Sequence, residues 1–208
     1  MKTLIRKAHG ELVFDRRTRV LADALSGLLP EGAAVLDVGA GDGTIAGLCL
    51  ERRPDIRVEG IDVQVRPNTR IPVRPFDGVT LLYGDRSMDV VMFIDVLHHT
   101  PDPHALVAEA ARVARHAVVI KDHIANNRVD FATLALMDWV GNAPHEVASP
   151  CNYLSRSEWE SLFRRAGLAA RSFTTDVPLY GFPLSAVCGR ELHFVASLSA
   201  AAEHQQAA

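Results

Sequence analysis

The stretch "VLDVGAGDGTIA" at residues 35–46 constrains the fold of this chain more than any other feature. Three glycines, Gly39, Gly41 and Gly43, alternate with small or acidic residues between an apolar run and a run with helical spacing. Glycine loses more conformational entropy on folding than other residues do, so a cluster between two ordered elements indicates that something must approach the backbone closely. The stretch therefore predicts a strand, a glycine-rich loop and a helix, with a binding site at the loop.

Strand and helix patterns alternate along most of the chain. Short apolar runs rich in β-branched residues predict strands, at residues 33–39, 56–63, 88–97, 116–123, 169–177 and 191–198. Apolar residues at helical spacing predict helices, at residues 11–29, 44–53, 102–115 and 155–168. Asp102 is a candidate helix cap, and Ser155 with Glu158 matches a capping box. The alternation predicts a parallel sheet with helices on both faces, and a further short strand is expected near residues 71–74.

Composition limits the number of domains and the classes of partner. The 208 residues are 48% apolar, which supplies one sizeable core and favours a single domain. The 22 basic and 25 acidic residues give a formal charge of -3, which argues against a nucleic-acid partner. The three cysteines lack metal-ligand spacing and fit a reducing compartment. Because neither a signal peptide nor ~18 consecutive apolar residues are visible, a cytoplasmic protein without a membrane span is expected.

Carboxylates near the glycine loop narrow the chemistry of its ligand. Thr44 stands where a dinucleotide-binding fingerprint would place its last glycine. Asp37 lies at the end of the preceding strand, where a carboxylate suits a cationic ligand better than a pyrophosphate. Asp62 ends the second strand, where an acidic residue binds the ribose hydroxyls in nucleotide-binding Rossmann units. A ligand with a ribose, a positive charge and no phosphate is S-adenosylmethionine.

Ordered motifs over residues 30–125 resemble those of the class I S-adenosylmethionine-dependent methyltransferases. "VLDVGAGDGTIA" and "GIDV" are similar to their first two motifs, and "PFDG" with "DRSMDVVMFIDVLHHTPDP" is similar to the third and fourth regions. The resemblance implies an α/β, Rossmann-like, doubly wound fold. Its mostly parallel seven-stranded sheet has helices on both faces and an antiparallel last strand. We expect one domain over residues 1–198, with a helical cover at residues 1–29 and a flexible tail at residues 199–208.

The resemblance also implies a set of cofactor-binding residues. They are Asp37, Gly39, Gly41, Gly43, Asp62, Val63, Asp77, Gly78 and Asp95. The glycines let the backbone approach the methionyl and ribose parts, Asp37 faces the amino group, and Asp62 takes the ribose diol. Asp77 would accept from the adenine amino group, and Asp95 would lie near the methionyl amine and the transferable methyl. From the residues alone, Asp77 could instead form the "FDG" turn, and Asp95 could be a structural cap.

Histidines after the fourth predicted strand are candidates for chemistry on the methyl acceptor. His98 and His99 follow that strand, and an imidazole there could act as a general base near neutral pH. A structural or cofactor-shell role is an equal alternative, and no metal is expected because the spacing is not a recognised ligand set. The connection at residues 124–154 is long for such a fold, so a lid or substrate wall is expected. Its candidates for substrate contact are Asp138, Trp139, His145 and Tyr153.

Methyl transfer to a small organic acceptor by in-line displacement is the expected function. The chain is short, and the segments expected to cover the site are modest in length, which favours a small acceptor over a macromolecule. O-, N- and C-methylation all stay open. S-adenosylmethionine is the expected cofactor, with S-adenosylhomocysteine as its product. The alternatives are a methyltransferase that acts on a protein or RNA, and a non-catalytic cofactor-binding module of the same fold. A homodimer is compatible with the sequence.

Overall fold

A seven-stranded sheet forms the centre of the molecule. The computed structural model describes residues 2–142, 152–189 and 191–201. The strands are β1 (Ala34–Val38), β2 (Arg57–Asp62), β3 (Val73–Pro75), β4 (Met88–Ile94), β5 (Ala114–His123), β6 (Leu168–Thr174) and β7 (His193–Ala200). Their spatial order is β3-β2-β1-β4-β5-β7-β6. Strands β1 to β5 are parallel, and β7 is antiparallel to both of its neighbours.

Helices cover both faces of the sheet. They are α1 (Lys2–Ser26), α2 (Thr44–Arg52), α3 (Pro103–Val113), α4 (Arg128–Asn142), α5 (Arg156–Arg165) and α6 (Ser185–Cys188), with a 3-10 turn at Leu97–His99. On one face, α1 and α2 pack on alternate residues of β1 and β4. On the other face, α3 and α5 pack on the remaining alternate residues, around Trp159 and Phe163. The expected doubly wound sheet with an antiparallel last strand is confirmed.

The strand order reverses beside β1, and this reversal positions the candidate site. β1 pairs with β2 on one side and with β4 on the other, so the chain runs outward from β1 through β2 and β3 and then crosses to the opposite side of β1 at β4. In open α/β sheets a ligand crevice lies beyond the carboxyl ends of the strands at such a point. The glycine loop follows β1 at this edge of the sheet. The polar segments that follow β4 and β5 lie at the same edge.

Most element boundaries lie within a few residues of the sequence expectations, and the largest difference is the start of α1, nine residues before the expected one. The short strand expected at residues 71–74 is β3 at Val73–Pro75, and α1 begins at Lys2 and ends at Ser26. Strand β7 continues to Ala200, past the start of the expected tail. Asp102 does cap α3, because its side chain accepts a hydrogen bond from the Ala105 N–H at 3.0 Å.

None of the helices within the described residues is long and apolar enough to cross a membrane.

The capping box that begins α5 is expected to contribute measurably to stability. Ser155 Oγ accepts from the Glu158 N–H at 3.4 Å, and Glu158 Oε2 accepts from the Ser155 N–H at 2.7 Å. Ser155→Ala should lower the free energy of unfolding by about 1 kcal/mol, because a helix N–H loses its partner. Denaturant unfolding measures the loss, with Ser172→Ala on the exposed part of β6 as the control. Equal effects of the two substitutions would contradict this role for the cap.

Candidate active site

The glycine loop after β1 brings its backbone close to β2 and to the segment after β4. Gly39 has a φ of +76°, and a Cβ at this position would lie 2.5 Å from Val96 Cγ2. Its N–H donates to the Ile61 carbonyl at 2.7 Å. Gly41 also has a positive φ, but a Cβ there would meet nothing within 4 Å. Gly43 is the N-cap of α2. The loop is therefore tight against the sheet and open on its outer side, as ligand binding through the backbone requires.

Two carboxylates flank this loop. Asp62 Oδ2 accepts from the Gly41 N–H at 2.7 Å, and its Oδ1 accepts from the Gln64 N–H at 2.8 Å. Asp37 is only 3% exposed, and its Oδ1 has no hydrogen-bond partner among the described residues. Burial, together with the charge of Asp62, raises the pKa of Asp37 to about 7. An orphaned buried carboxylate oxygen beside an open glycine loop fits a cationic group such as the ammonium of S-adenosylmethionine.

Asp77 forms the turn that follows β3. Its Oδ1 accepts from the N–H groups of Thr80 and Val79, both at 2.8 Å, and these bonds lower the pKa of Asp77. Gly78 has a φ of +85°, and a Cβ there would lie 3.2 Å from Val63, which is 67% exposed. The turn that the sequence suggested as an alternative role for Asp77 is therefore present. Adenine binding by the exposed corner of Val63, Asp77 and Gly78 stays a prediction.

Asp95 follows β4 and pairs with two cations. Its φ of +57° lies in the left-handed region, which is uncommon for a residue other than glycine. One carboxylate oxygen pairs with Arg17 of α1 and the other with Lys121 of β5. Burial disfavours the charge of Asp95, but Lys121 and Arg17 outweigh it and hold the pKa of Asp95 well below its ordinary value. The fully buried Lys121 was not expected from the sequence, because lysine is rarely buried.

His98 lies between two carboxylates in the 3-10 turn after β4. Its Nδ1 is 2.6 Å from Asp122 Oδ1, and its Nε2 is 3.3 Å from Asp138 Oδ2. Burial disfavours the imidazolium, but Asp122 and Asp138 stabilise it and raise the pKa of His98 to about 10. Asp122 also accepts from the Leu97 N–H at 3.0 Å, and so connects this turn to the end of β5. His98 is therefore held in position, and the two carboxylates favour its charged form.

The neighbouring histidines remain neutral at pH 7. The ring centroids of His98 and His99 are 3.9 Å apart, and burial with the charge of His98 lowers the pKa of His99. Burial and the charge of Lys121 lower the pKa of His123 to about 4. His123 lies 4.5 Å from His98, edge to face. The two residues predicted to be catalytic thus differ in charge at pH 7, since His98 is protonated and His99 is neutral.

Helix α4 brings part of the expected substrate wall against His98. The Tyr153 O–H donates to Asp138 Oδ2, and the ring of Tyr153 stacks on that of His98 with centroids 5.6 Å apart. Trp139 is 71% exposed. His145 lies outside the described residues. Among Asp138, Trp139 and Tyr153, Asp138 thus stands closest to His98, with its Oδ2 3.3 Å from His98 Nε2.

A cavity of about 770 Å³ joins the glycine loop to the histidine cluster. The expected site residues that line it are Asp37, Gly39, Asp95, His98, His99 and Asp138. Those that do not line it are Gly41, Gly43, Asp62, Val63, Asp77, Gly78, Trp139 and Tyr153. Residues that sequence reasoning missed form an apolar side of the cavity: Phe14, Ile94, Leu136, Met137, Tyr180 and Leu184. Tyr180 and Leu184 lie in irregular chain after β6, where no periodic pattern could have indicated them.

A profile of the methyltransferase domain family matches residues 10–172, which is most of the chain. The chain belongs to the class I S-adenosylmethionine-dependent methyltransferases. The 27-O-demethylrifamycin SV methyltransferase of Amycolatopsis mediterranei is 33% identical to this methyltransferase over 116 residues. That match covers 49% of this chain and 42% of the relative, so the chain aligns with less than half of the relative's length.

Solved structures share the fold of this methyltransferase at low identity. A chain of the Haloferax volcanii complex between the Trm112 methyltransferase activator and a methyltransferase superimposes with a TM-score of 0.67 at 19% identity, covering 93% of this chain and 94% of that chain. Geranyl diphosphate methyltransferase in complex with S-adenosylmethionine superimposes with a TM-score of 0.66 at 14% identity, covering 87% and 84%. At these identities the likeness establishes the fold alone.

Proposed function

We propose that this methyltransferase transfers the methyl group of S-adenosylmethionine to a hydroxyl group of a small, largely apolar molecule. One observation carries the proposal, namely that a single cavity has Asp37 and Gly39 at one end and His98, His99 and Asp138 at the other. A cofactor at the first end and an acceptor at the second would meet inside the protein. Alignment of nucleophile, methyl and sulfur away from water is the main requirement of an in-line methyl transfer.

The cofactor is proposed to lie across the carboxyl ends of β1 and β2. Asp37, with its orphaned Oδ1, would face the ammonium group, and Asp62 would take the ribose hydroxyls. The backbone at Gly39, Gly41 and Gly43 would pass close to the methionyl and ribose parts. The corner formed by Val63, Asp77 and Gly78 would hold the adenine, and Asp95 would stand near the methyl group. The hydrogen bonds of Asp62 and Asp77 and the ion pairs of Asp95 support these roles, since preorganised hydrogen-bond acceptors lose little entropy on binding.

The lining of the cavity supports the proposed class of acceptor. Phe14, Leu136, Met137 and Leu184 present an apolar surface, whereas the polar groups gather at the histidine end. Ligand sites of this kind bury an apolar body and orient it with a few polar contacts. The relative from Amycolatopsis mediterranei is named for methylation at an oxygen atom, which supports a hydroxyl acceptor. Asp138 and Tyr153, with Trp139 and His145, are proposed to contact this acceptor.

The chemistry divides between the cofactor and the chain. When bound, S-adenosylmethionine supplies an electrophilic methyl group on a positively charged sulfur. The acceptor oxygen forms the new C–O bond as the S–CH₃ bond breaks, the hydroxyl proton passes to solvent, and S-adenosylhomocysteine remains. The chain aligns the acceptor and excludes water, and we propose His98 and His99 as the catalytic residues that touch the reacting hydroxyl.

Calorimetry followed by an acceptor screen tests the proposal. The purified protein should bind S-adenosylmethionine and S-adenosylhomocysteine and should not bind NAD. With cofactor labelled in the methyl group, label should pass to apolar molecules that carry a hydroxyl and not to their O-methylated forms. Tight binding of NAD alone would overturn the cofactor assignment. Label found only in protein or RNA fractions would overturn the acceptor class.

Asp62→Ala should weaken binding of S-adenosylmethionine by about 1–3 kcal/mol, because a charge-assisted hydrogen bond to the ribose is lost. Calorimetry of the variant measures this directly. Asp85→Ala is the matched control, since Asp85 is 77% exposed and pairs with Arg112 on another part of the surface. Unchanged affinity in the Asp62 variant would place the ribose contact elsewhere.

A further inference from the structure

Three side chains from two separate elements converge at the acceptor end of the cavity. One ring nitrogen each of His98 and His99 and one carboxylate oxygen of Asp138 all lie within 4.8 Å of one another. We propose that His98, His99 and Asp138 form a binding site for one divalent transition-metal ion of the Zn²⁺ type. The spacing in the sequence could not predict this set, because Asp138 reaches it from α4, far along the chain from the two histidines.

Each of two proposed ligands has a supporting partner outside the set. The Nδ1 of His98 is 2.6 Å from Asp122 Oδ1, and this orients Nε2 toward Asp138 at 3.3 Å. The Tyr153 O–H donates to Asp138 Oδ2 and orients that carboxylate. A metal-ligating histidine almost always donates its other ring N–H to a carboxylate or carbonyl, and such partners raise metal affinity. Binding of the ion releases the Nε2 proton of His98 to solvent.

A second set of possible ligands nearby is less suitable. His98, Asp122 and His123 also lie close together, but all three are buried. The oxygens of Asp122 already accept from the backbone N–H groups of Leu97 and His123, at 3.0 and 2.8 Å. Asp122 therefore fits a supporting role. His98, His99 and Asp138 line the cavity, so an ion on them would keep coordination positions open to a bound molecule.

The ligand types indicate the class of ion. Two imidazoles and one carboxylate suit Zn²⁺, Co²⁺, Ni²⁺ or Fe²⁺, whereas Mg²⁺ and Ca²⁺ prefer sets made only of oxygen. The role of the ion rests on the proposed function, and with the ion bound, the two histidines would act on the reacting hydroxyl through the ion. An acceptor hydroxyl bound to the ion would lose its proton to solvent more readily, and the oxygen would then attack the methyl group.

Titration of metal-stripped, tag-free protein with Co²⁺ tests the site without cofactor or acceptor. We expect about one Co²⁺ per chain, with visible absorption bands of a protein-bound ion that disappear when Zn²⁺ is added. Mg²⁺ at the same concentration should not displace Co²⁺. Absence of Co²⁺ binding would overturn the proposal and leave these residues as a hydrogen-bonded network.

Variants locate the ion. His99→Ala and Asp138→Asn should each weaken Co²⁺ binding by about tenfold or more, because each removes one ligand. His116→Ala, which removes an imidazole that is 52% exposed near the start of β5, should leave it unchanged. Circular dichroism and calorimetry with S-adenosylmethionine check that the variants are folded. Equal Co²⁺ affinity in wild type and both site variants would overturn the site.

The metal site and the proposed function fail in different measurements. Co²⁺ binding that depends on His99 and Asp138, in a protein that binds no S-adenosylmethionine, would support the site and overturn the function. Binding and turnover of S-adenosylmethionine in a protein that binds no Co²⁺ would support the proposed function and overturn the metal site.

Discussion

Asp37→Asn is expected to stabilise the cofactor-free methyltransferase at pH 8 while it weakens binding of S-adenosylmethionine. Asp37 is buried, and its pKa rises from the ordinary 3.8 to about 7, first through burial and then through Asp62. The folded state therefore holds the proton more tightly than the unfolded state. This contribution to stability is fully present below pH 3.8 and is lost as the pH rises through 7.

The size of the effect follows from the pKa of Asp37. The difference between 3.8 and about 7 corresponds to about 4 kcal/mol, which the folded state loses by pH 8. A neutral amide avoids this cost, but its N–H groups need partners, at about 1–3 kcal/mol. The net gain of Asp37→Asn at pH 8 should therefore be about 1–3 kcal/mol. It should be close to zero at pH 5, where the wild type has lost only about 1.6 kcal/mol and the cost of the amide offsets that loss.

Denaturant unfolding at pH 5 and pH 8 measures this gain, with Asp23→Asn, at a side chain 67% exposed, as the control. Calorimetry measures the loss of affinity for S-adenosylmethionine. Wild-type affinity for S-adenosylmethionine should rise between pH 6 and pH 8 as Asp37 ionises, whereas the variant should bind about tenfold more weakly and lack this rise. A variant that is destabilised equally at both pH values would contradict the role given to Asp37.

The fold followed from the sequence because its signals are local. The central parallel strands β1 and β4 are buried on both faces and are almost continuous apolar runs, as "MDVVMFIDVL" shows for β4. Asp102 and the pair of Ser155 and Glu158 mark helix starts through contacts that span only three residues. The glycine loop required positive φ angles at fixed positions, and all three glycines have them. Such features depend on neighbours in the chain, so the sequence can display them.

The acceptor end of the site could be predicted only in part, because its contacts join distant segments. His98 and His99 could be placed after β4, but the charge of His98 depends on Asp122 and Asp138 from two other elements, and burial with the charge of His98 lowers the pKa of His99. The ion pair of Arg17 with Asp95 connects α1 to the end of β4. The burial of Lys121 is explained by its ion pair with Asp95, a residue of another strand end. Packing between elements decides these features, and no local pattern encodes it.

His99→Ala is expected to lower kcat by about 10²-fold or more while it leaves the affinity for S-adenosylmethionine nearly intact. His99 lines the cavity beside His98 and Asp138, on the acceptor side of the proposed methyl position. An interaction made with the reacting hydroxyl affects turnover far more than cofactor binding. The loss should become smaller at high pH, where a hydroxyl acceptor ionises without help from the protein.

His98→Ala separates a catalytic role from a structural one. His98 is buried between Asp122 and Asp138, so its removal leaves two carboxylates without their cation and should lower the melting temperature as well as kcat. His99→Ala should change the melting temperature little, and His116→Ala should change neither quantity. The measurements are melting temperature, cofactor affinity and a pH–rate profile with an acceptor from the screen. If both site variants keep full turnover, catalysis rests on alignment alone, and Asp138, Trp139 and Tyr153 are the next residues to test.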